Sequence, residues 1–388
     1  MSGGQLEARY DPWLDDPFPM YARLRALAPV LHQPQLGLWT VARHDDVEAI
    51  LRDDSRFSNH APQSADPVAA LIGPGDVLDT DRPRHTVLRS VLRERFTAKA
   101  VGARAAQARD DARTLLMPLR ERGEGDLAEE FAWLLPTVTI LRLLGQPPED
   151  ADRVSARLRE LDDPSDGDAA REAMGWLRSY LLDGIASPAG DGLLLDLVAA
   201  NRRGTLCSDE LGGLSLSVLL AATGTTSSLL SNGLLVLDRH PDQKALVRSG
   251  AAEPARAVEE LLRFESPVQS LPRHTTREIE LHGQAIPPGE RILLLLGSAN
   301  RDERRFADAD RFDVLRGRRR HLALGTGVHF CIGTHLARMQ AALALKCVFE
   351  MLGDYAVAGD VVRIPSPDVR GLMQLPVKVE PGGGPLKA

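Results

Sequence analysis

The chain has 388 residues, 43% hydrophobic but only 4% aromatic, and a net charge of −7. That length can bury a large core, and the acidic balance argues against nucleic acid as a partner. Three cysteines, Cys207, Cys331 and Cys347, cannot all pair and show no zinc-ligand spacing, which points to a reducing compartment, the cytoplasm.

Residues 1–10 are polar and read as free of a signal peptide. A helix is expected over 17–27, short strands at 30–31 and 38–41, and a second helix over 45–52. Residues 58–81 are rich in Pro, Gly, Ala and Asp without periodicity and read as a long loop, a feature usually tied to function. Most of 83–203 reads as helical, with breaks near 145–150, 162–168 and 187–192 and a turn at 201–204. Ser208 is placed to cap the next helix, with Asp209 and Glu210 in its first turn. That helix runs to about Arg239, where His240-Pro241 stops it. About thirty residues at 1.5 Å each span roughly 45 Å, and an apolar character on most faces predicts burial through the domain centre. Apolar runs are broken by Gly, Ser or charge before about 18 residues, so no membrane span is expected. Strands are expected within 279–286, 291–296 and 375–377. No repeat or composition shift marks a second domain, so 1–388 reads as one domain with flexible ends at about 1–10 and 381–388.

One stretch is more specific: Leu324-Gly325-Thr326-Gly327-Val328-His329-Phe330-Cys331-Ile332-Gly333-Thr334-His335-Leu336-Ala337-Arg338. It sets a cysteine between a glycine-bearing loop and a helix running through Met339, Leu343 and Phe349. A thiolate there faces unpaired backbone N–H groups and the positive end of the helix dipole. Both are expected to lower its pKa, as suits a metal-ligating sulfur. Gly325, Gly327 and Gly333 let the backbone turn tightly and approach a large flat ligand.

This stretch resembles the haem-binding loop of the cytochrome P450 family, Phe-Gly-x-Gly-x-His-x-Cys-x-Gly followed by Leu-Ala-Arg. Leu324 stands where the family has phenylalanine, a change expected to alter electron donation and haem potential. The resemblance implies a mostly α fold with a small β region, haem b (iron protoporphyrin IX) as cofactor and Cys331 as the metal ligand. In that family the thiolate pushes electron density toward O–O cleavage.

Further segments carry the resemblance. Glu260-Leu261-Leu262-Arg263 places opposite charges at i, i+3 and is similar to the family's Glu-x-x-Arg motif, a structural pair joined by a third arginine. Arg311 and Arg316 are both candidates for that third position. The haem propionates call for cations, and His85, Arg89, Arg273 and His329 are the candidates. His85 and Arg89 share a helix face, Arg suits bidentate carboxylate binding, and Arg273 follows the Glu-x-x-Arg helix as in the family. Gly325, Gly333 and Ala222 are expected against the macrocycle.

In Leu220-Ala221-Ala222-Thr223-Gly224-Thr225-Thr226, Thr225 aligns with the family's oxygen-handling threonine, while Gly224 replaces the acid that usually precedes it. O–O cleavage needs protons that a carboxylate normally relays, so ordered water, Thr223 or the substrate is expected to serve. The other reading of such threonines is back-bonding to the i−4 carbonyl. Substrate contacts are expected from 58–77, 216–220 (Leu220 included), Val268, Leu271, Leu372 and Met373. An apolar lining suits a moderately hydrophobic small molecule.

The implied function is hydroxylation or epoxidation with O2, in secondary metabolism. A ferredoxin and its NAD(P)H-dependent reductase would supply electrons, because the chain carries no flavin or iron–sulfur segment. The basic run Arg316-Gly317-Arg318-Arg319-Arg320 is the candidate docking face. Other chemistry on the same haem (aryl coupling, peroxide-driven oxidation, rearrangement) fits these residues too. A non-catalytic haem protein that binds or senses a ligand is a further reading, against which Thr225 speaks.

Overall fold

The computed structural model describes residues 15–60, 72–161, 167–188, 190–316 and 320–380. The expected flexible ends and most of the loop over 58–77 therefore lie outside the described residues, as do Gly317, Arg318 and Arg319 of the basic run.

The chain enters through α1 (Phe18–Leu27), the hairpin β1 (Val30–Gln33) and β2 (Leu38–Val41), α2 (His44–Arg52) and β3 (Phe57–Ser58). A helical half follows: α3 (Arg84–Leu92), α4 (Ala98–Gly102), α5 (Ala105–Arg122), α6 (Leu134–Leu144), α7 (Ala151–Leu161), α8 (Gly167–Ala186) and α9 (Leu193–Arg202). Strand β4 (Glu124–Asp126) interrupts it between α5 and α6. Next come α10 (Ser208–Arg239), α11 (Pro241–Arg248) and α12 (Pro254–Phe264). Strands β5 (Ser270–Thr275), β6 (Ile279–Leu281), β7 (Gln284–Ile286) and β8 (Arg291–Leu295) and the single turn α13 (Leu296–Ala299) precede the cysteine loop. Then α14 (Thr334–Leu352), β9 (Asp354–Val357), β10 (Val362–Arg363), β11 (Leu372–Gln374) and β12 (Pro376–Glu380) complete a mostly α fold with small sheets.

The largest sheet has the order β1-β2-β8-β5-β3, with β2 and β8 parallel and the other neighbours antiparallel. A second sheet joins β4, β12 and β9 across the chain. Among the strands that escaped the sequence reading, two did so for identifiable reasons. β4 is Glu-Gly-Asp, polar throughout, and exists because β12 pairs with it. β5 contains Pro272, which lies beyond the two residues of β3 and so faces an open edge where no donor is required. The expected strand over 279–286 is a hairpin instead, since His282 and Gly283 both adopt positive φ, as a tight primed turn demands.

The 32-residue α10 runs through the core and packs on α6, α8, α12 and α14. By length and composition it could cross a membrane, yet 72% of its most apolar window is buried inside the fold, as a core helix requires. Its cap is Cys207 rather than Ser208. Cys207 has the extended backbone of a cap (φ −85°, ψ 163°), and the Glu210 carboxylate accepts its backbone N–H at 2.8 Å.

Candidate functional site

Burial along α10 is nearly continuous, with one exception at its centre. Residues 211–219 and 226–237 are buried, whereas Leu220, Ala221, Ala222, Gly224 and Thr225 are partly accessible. Accessible surface in the middle of a core helix means a hollow beside it. Val268, Leu271 and Met373 are partly accessible as well. Leu372 is not: strand alternation turns it inward at 0% exposure, and Trp133 Nε1 donates to its carbonyl at 3.0 Å.

Thr225 Oγ1 donates to the Ala221 carbonyl at 2.7 Å, and Thr223 Oγ1 to the Leu219 carbonyl at 2.8 Å. Both are the i−4 back-bonds that mid-helix threonines favour. Thr223 is fully buried, while Thr225 is reachable and keeps its lone pairs free to accept.

The cysteine loop is tightened by Cys331 N–H donating to the Leu324 carbonyl at 3.0 Å and Gly325 N–H to the Leu322 carbonyl at 2.8 Å. Gly327 needs to be glycine twice over: its φ is +74°, and a Cβ there would lie 2.4 Å from the Leu51 carbonyl oxygen. Gly333 N–H donates to the Cys331 sulfur, and α14 starts one residue later. The thiol pKa is raised, against the expected lowering. Burial pushes it up and outweighs the Gly333 N–H, Arg89 and Arg338, which all favour the anion. A coordinated metal would deprotonate such a thiol outright.

Around the loop stand basic side chains that make no ion pair among the described residues. The His85 and His329 rings lie 4.1 Å apart, and the buried His85 Nε2 has no partner among the described residues. Arg273 is 4% exposed, its one side-chain hydrogen bond among the described residues being Nη1 to the Pro272 carbonyl at 2.7 Å. Burial lowers its pKa to about 10. Burial, then His85 and Arg273, hold His329 down at about 3. Arg89 donates to the Phe330 carbonyl. A buried guanidinium with so little opposing charge is costly unless an anion joins it. The residues present therefore fit a flat apolar group that carries two carboxylates, which is the chemistry of haem.

Behind the loop, Glu260 is gripped by Arg263 through two bonds of 2.8 and 2.7 Å and by Arg316 Nε at 3.0 Å. Arg263 also donates to the carbonyls of Asn300 and Ala309 at 3.0 and 2.8 Å. Arg311 contributes only its carbonyl, to Arg263 and Arg316. The third arginine is thus Arg316, which takes it out of the basic run. A second network went unread in the sequence. Glu259 binds Arg338 at 2.5 and 3.0 Å and faces His321 Nε2 at 3.4 Å, tying α12 to α14 and to the approach of the cysteine loop. Its carboxyl resists the upward push of burial and is held at about 2 by His321 and Arg338. The only sequence signal was Arg338, left over from the Leu-Ala-Arg run.

Fold and site together define a haem-thiolate protein. Residues 255–358 match the family model described as Cytochrome P450. The chain is 37% identical over 383 residues to the cytochrome P450 monooxygenase PikC of Streptomyces venezuelae, covering 94% of this chain and 91% of the relative. It is 35% identical to the vitamin D(3) 25-hydroxylase of Pseudonocardia autotrophica, covering 94% of each. The solved structure of CYP109E1 from Bacillus megaterium, in complex with testosterone, superposes with a TM-score of 0.86 at 27% identity, covering 94% of this chain and 97% of that one. The chain belongs to the cytochrome P450 family. It is a bacterial-type monooxygenase with haem b as its cofactor.

Proposed function

We propose that Cys331 is the iron ligand and that His85, Arg89, Arg273 and His329 receive the propionates. The observation that carries this reading is the buried Arg273, which forms an ion pair with no carboxylate among the described residues, together with the unpartnered His85 Nε2 beside the cysteine loop. In the same reading Gly325, Gly333 and Ala222 lie against the macrocycle, and Glu260 with Arg263 serves as scaffold. When bound, haem b supplies the activation of O2 by two electrons, with one oxygen atom passing into the substrate.

The chain's own contribution is pocket and protons. Leu220, Val268, Leu271 and Met373 offer an apolar wall to a moderately hydrophobic substrate. Relatives named for hydroxylating vitamin D(3) and 6-deoxyerythronolide B support that substrate class and a role in secondary metabolism. Thr225 spends its own proton on Ala221, so its oxygen accepts a hydrogen bond from water in the hollow and orients it. Thr223, buried and committed to Leu219, drops out of the relay. With Gly224 in place of an acid, protons are delivered by ordered water or by a polar group of the substrate.

Oxygen-18 from labelled O2 appears in the product if the reaction is monooxygenation; label-free product would favour coupling or rearrangement. Product formed per NAD(P)H consumed tests the relay. Substrates lacking a hydroxyl near the oxidised carbon are expected to couple poorly, and Gly224→Asp to improve them. Equal, tight coupling of both substrate classes in the wild type would leave ordered water as the relay.

The protein acts as a single cytoplasmic domain and receives electrons from a ferredoxin, in turn reduced by an NAD(P)H-dependent reductase. Charge reversal in Arg318→Glu/Arg319→Glu is expected to slow electron transfer several-fold at low salt and to flatten its salt dependence. Rates indifferent to ionic strength in wild type and variant alike would remove this run from the docking face.

A further inference from the structure

The accessible stretch of α10 has a charged group at its N-terminal end. Ser217 lies on the line of the helix that continues through Leu220 and Gly224, and its hydroxyl donates to Asp76 Oδ1 at 2.7 Å. Residues 72–76 are seated on α10 by close backbone approach. A Cβ at Gly213 would fall 2.0 Å from the Pro74 carbonyl oxygen, and one at Gly75, with φ +92°, 2.4 Å from the Glu210 carbonyl oxygen. Only glycine permits either contact. From the other side, Arg178 of α8 donates to the Ile72 carbonyl at 2.9 Å. Leu78 N–H donates to Asp76 Oδ1 at 2.9 Å, and the Thr80 hydroxyl to the Asp76 carbonyl at 2.5 Å.

Asp76 is therefore held in place, but its charge is not met. Both donors to the carboxylate are neutral, and both use Oδ1. Among the described residues Oδ2 accepts no hydrogen bond, and no Lys, Arg or His pairs with Asp76. The adjoining residues 61–71 contain no Lys, Arg or His either. A half-buried, pre-positioned carboxylate beside an apolar wall, with one oxygen open, is complementary to a cation.

We propose that Asp76 is a specificity-determining residue that pairs with a protonated amine of the substrate. The seven residue steps of helix from Ser217 to Gly224 place that amine about 10 Å from the carbon that reacts. This inference rests on the reading of Gly224 and Thr225 as the reacting end of the hollow.

Spin-state titration of the haem-loaded enzyme with three probes of one chain length tests it: dodecyltrimethylammonium, N-dodecylacetamide and dodecanoate. The quaternary nitrogen has no lone pair to offer the iron. The wild type is expected to bind the cation at least about tenfold tighter than the neutral amide, with dodecanoate weakest. Asp76→Asn keeps an acceptor for Ser217 and is expected to erase that preference, moving the amide's Kd less than about twofold. Ser217→Ala leaves the carboxylate and is expected to retain the preference. Equal affinities for cation and amide in the wild type, or a preference that survives Asp76→Asn, would overturn the proposal, and the wild-type comparison stands without any variant. The thiolate band of the reduced carbon monoxide complex does not depend on Asp76. Its absence would sink the haem-thiolate assignment of this site, whereas its presence with indifferent probes would sink Asp76 alone.

Discussion

Cys331→Ser protein, reduced under carbon monoxide, is expected to lose the far-red-shifted Soret band of thiolate ligation together with turnover. The physical reason is the exchange of a soft anionic sulfur for a hydroxyl that stays protonated at neutral pH and donates far less electron density. Changes in outer-shell partners of metal ligands typically cost 10–100-fold, and removal of the ligand itself should exceed that. The other two cysteines are placed for other work. Cys207 caps α10, and Cys347 is packed in the core face of α14. Their serine variants should keep the band. A band that survived in Cys331→Ser and vanished with Cys207 or Cys347 would reverse the assignment.

Arg263→Ala is expected to be the most destabilising single substitution of a charged residue in the domain. It strips Glu260, 4% exposed, of two charge-assisted bonds and leaves the Asn300 and Ala309 carbonyls short of a donor. Breaking one side of a buried pair costs about 3–5 kcal/mol. For a chain of this size that corresponds to a fall of order 10 °C in thermal midpoint, read by circular dichroism. Arg263→Lys keeps the charge but loses the planar fork, so it should recover only part of the loss. A midpoint within about 2 °C of wild type, the scale of a surface substitution, would show that Arg316 holds Glu260 unaided.

How much of this was legible beforehand follows the range of the interactions involved. The sequence by itself determined several helices and some of their ends, because proline stops and glycine turns act within a few residues. The stop of α10 at His240-Pro241 and the turn at Gly204 (φ +73°) are local events, and they stand where the pattern puts them. It also determined the cysteine loop and its glycines, since the resemblance is contiguous and dense. What depended on long-range pairing was decided only by the tertiary structure. β4 has no strand character of its own and waits for β12. Arg311 and Arg316 look alike in the sequence, and only the fold brings one guanidinium to Glu260 and leaves the other's carbonyl there. Leu372 and Met373 differ by one step of the strand, and the side that α10 and Trp133 occupy settles which of them is sealed. The Cys331 thiol is pushed up rather than down because burial, a property of the whole surrounding fold, outweighs the nearby N–H group and cations that the local pattern reveals.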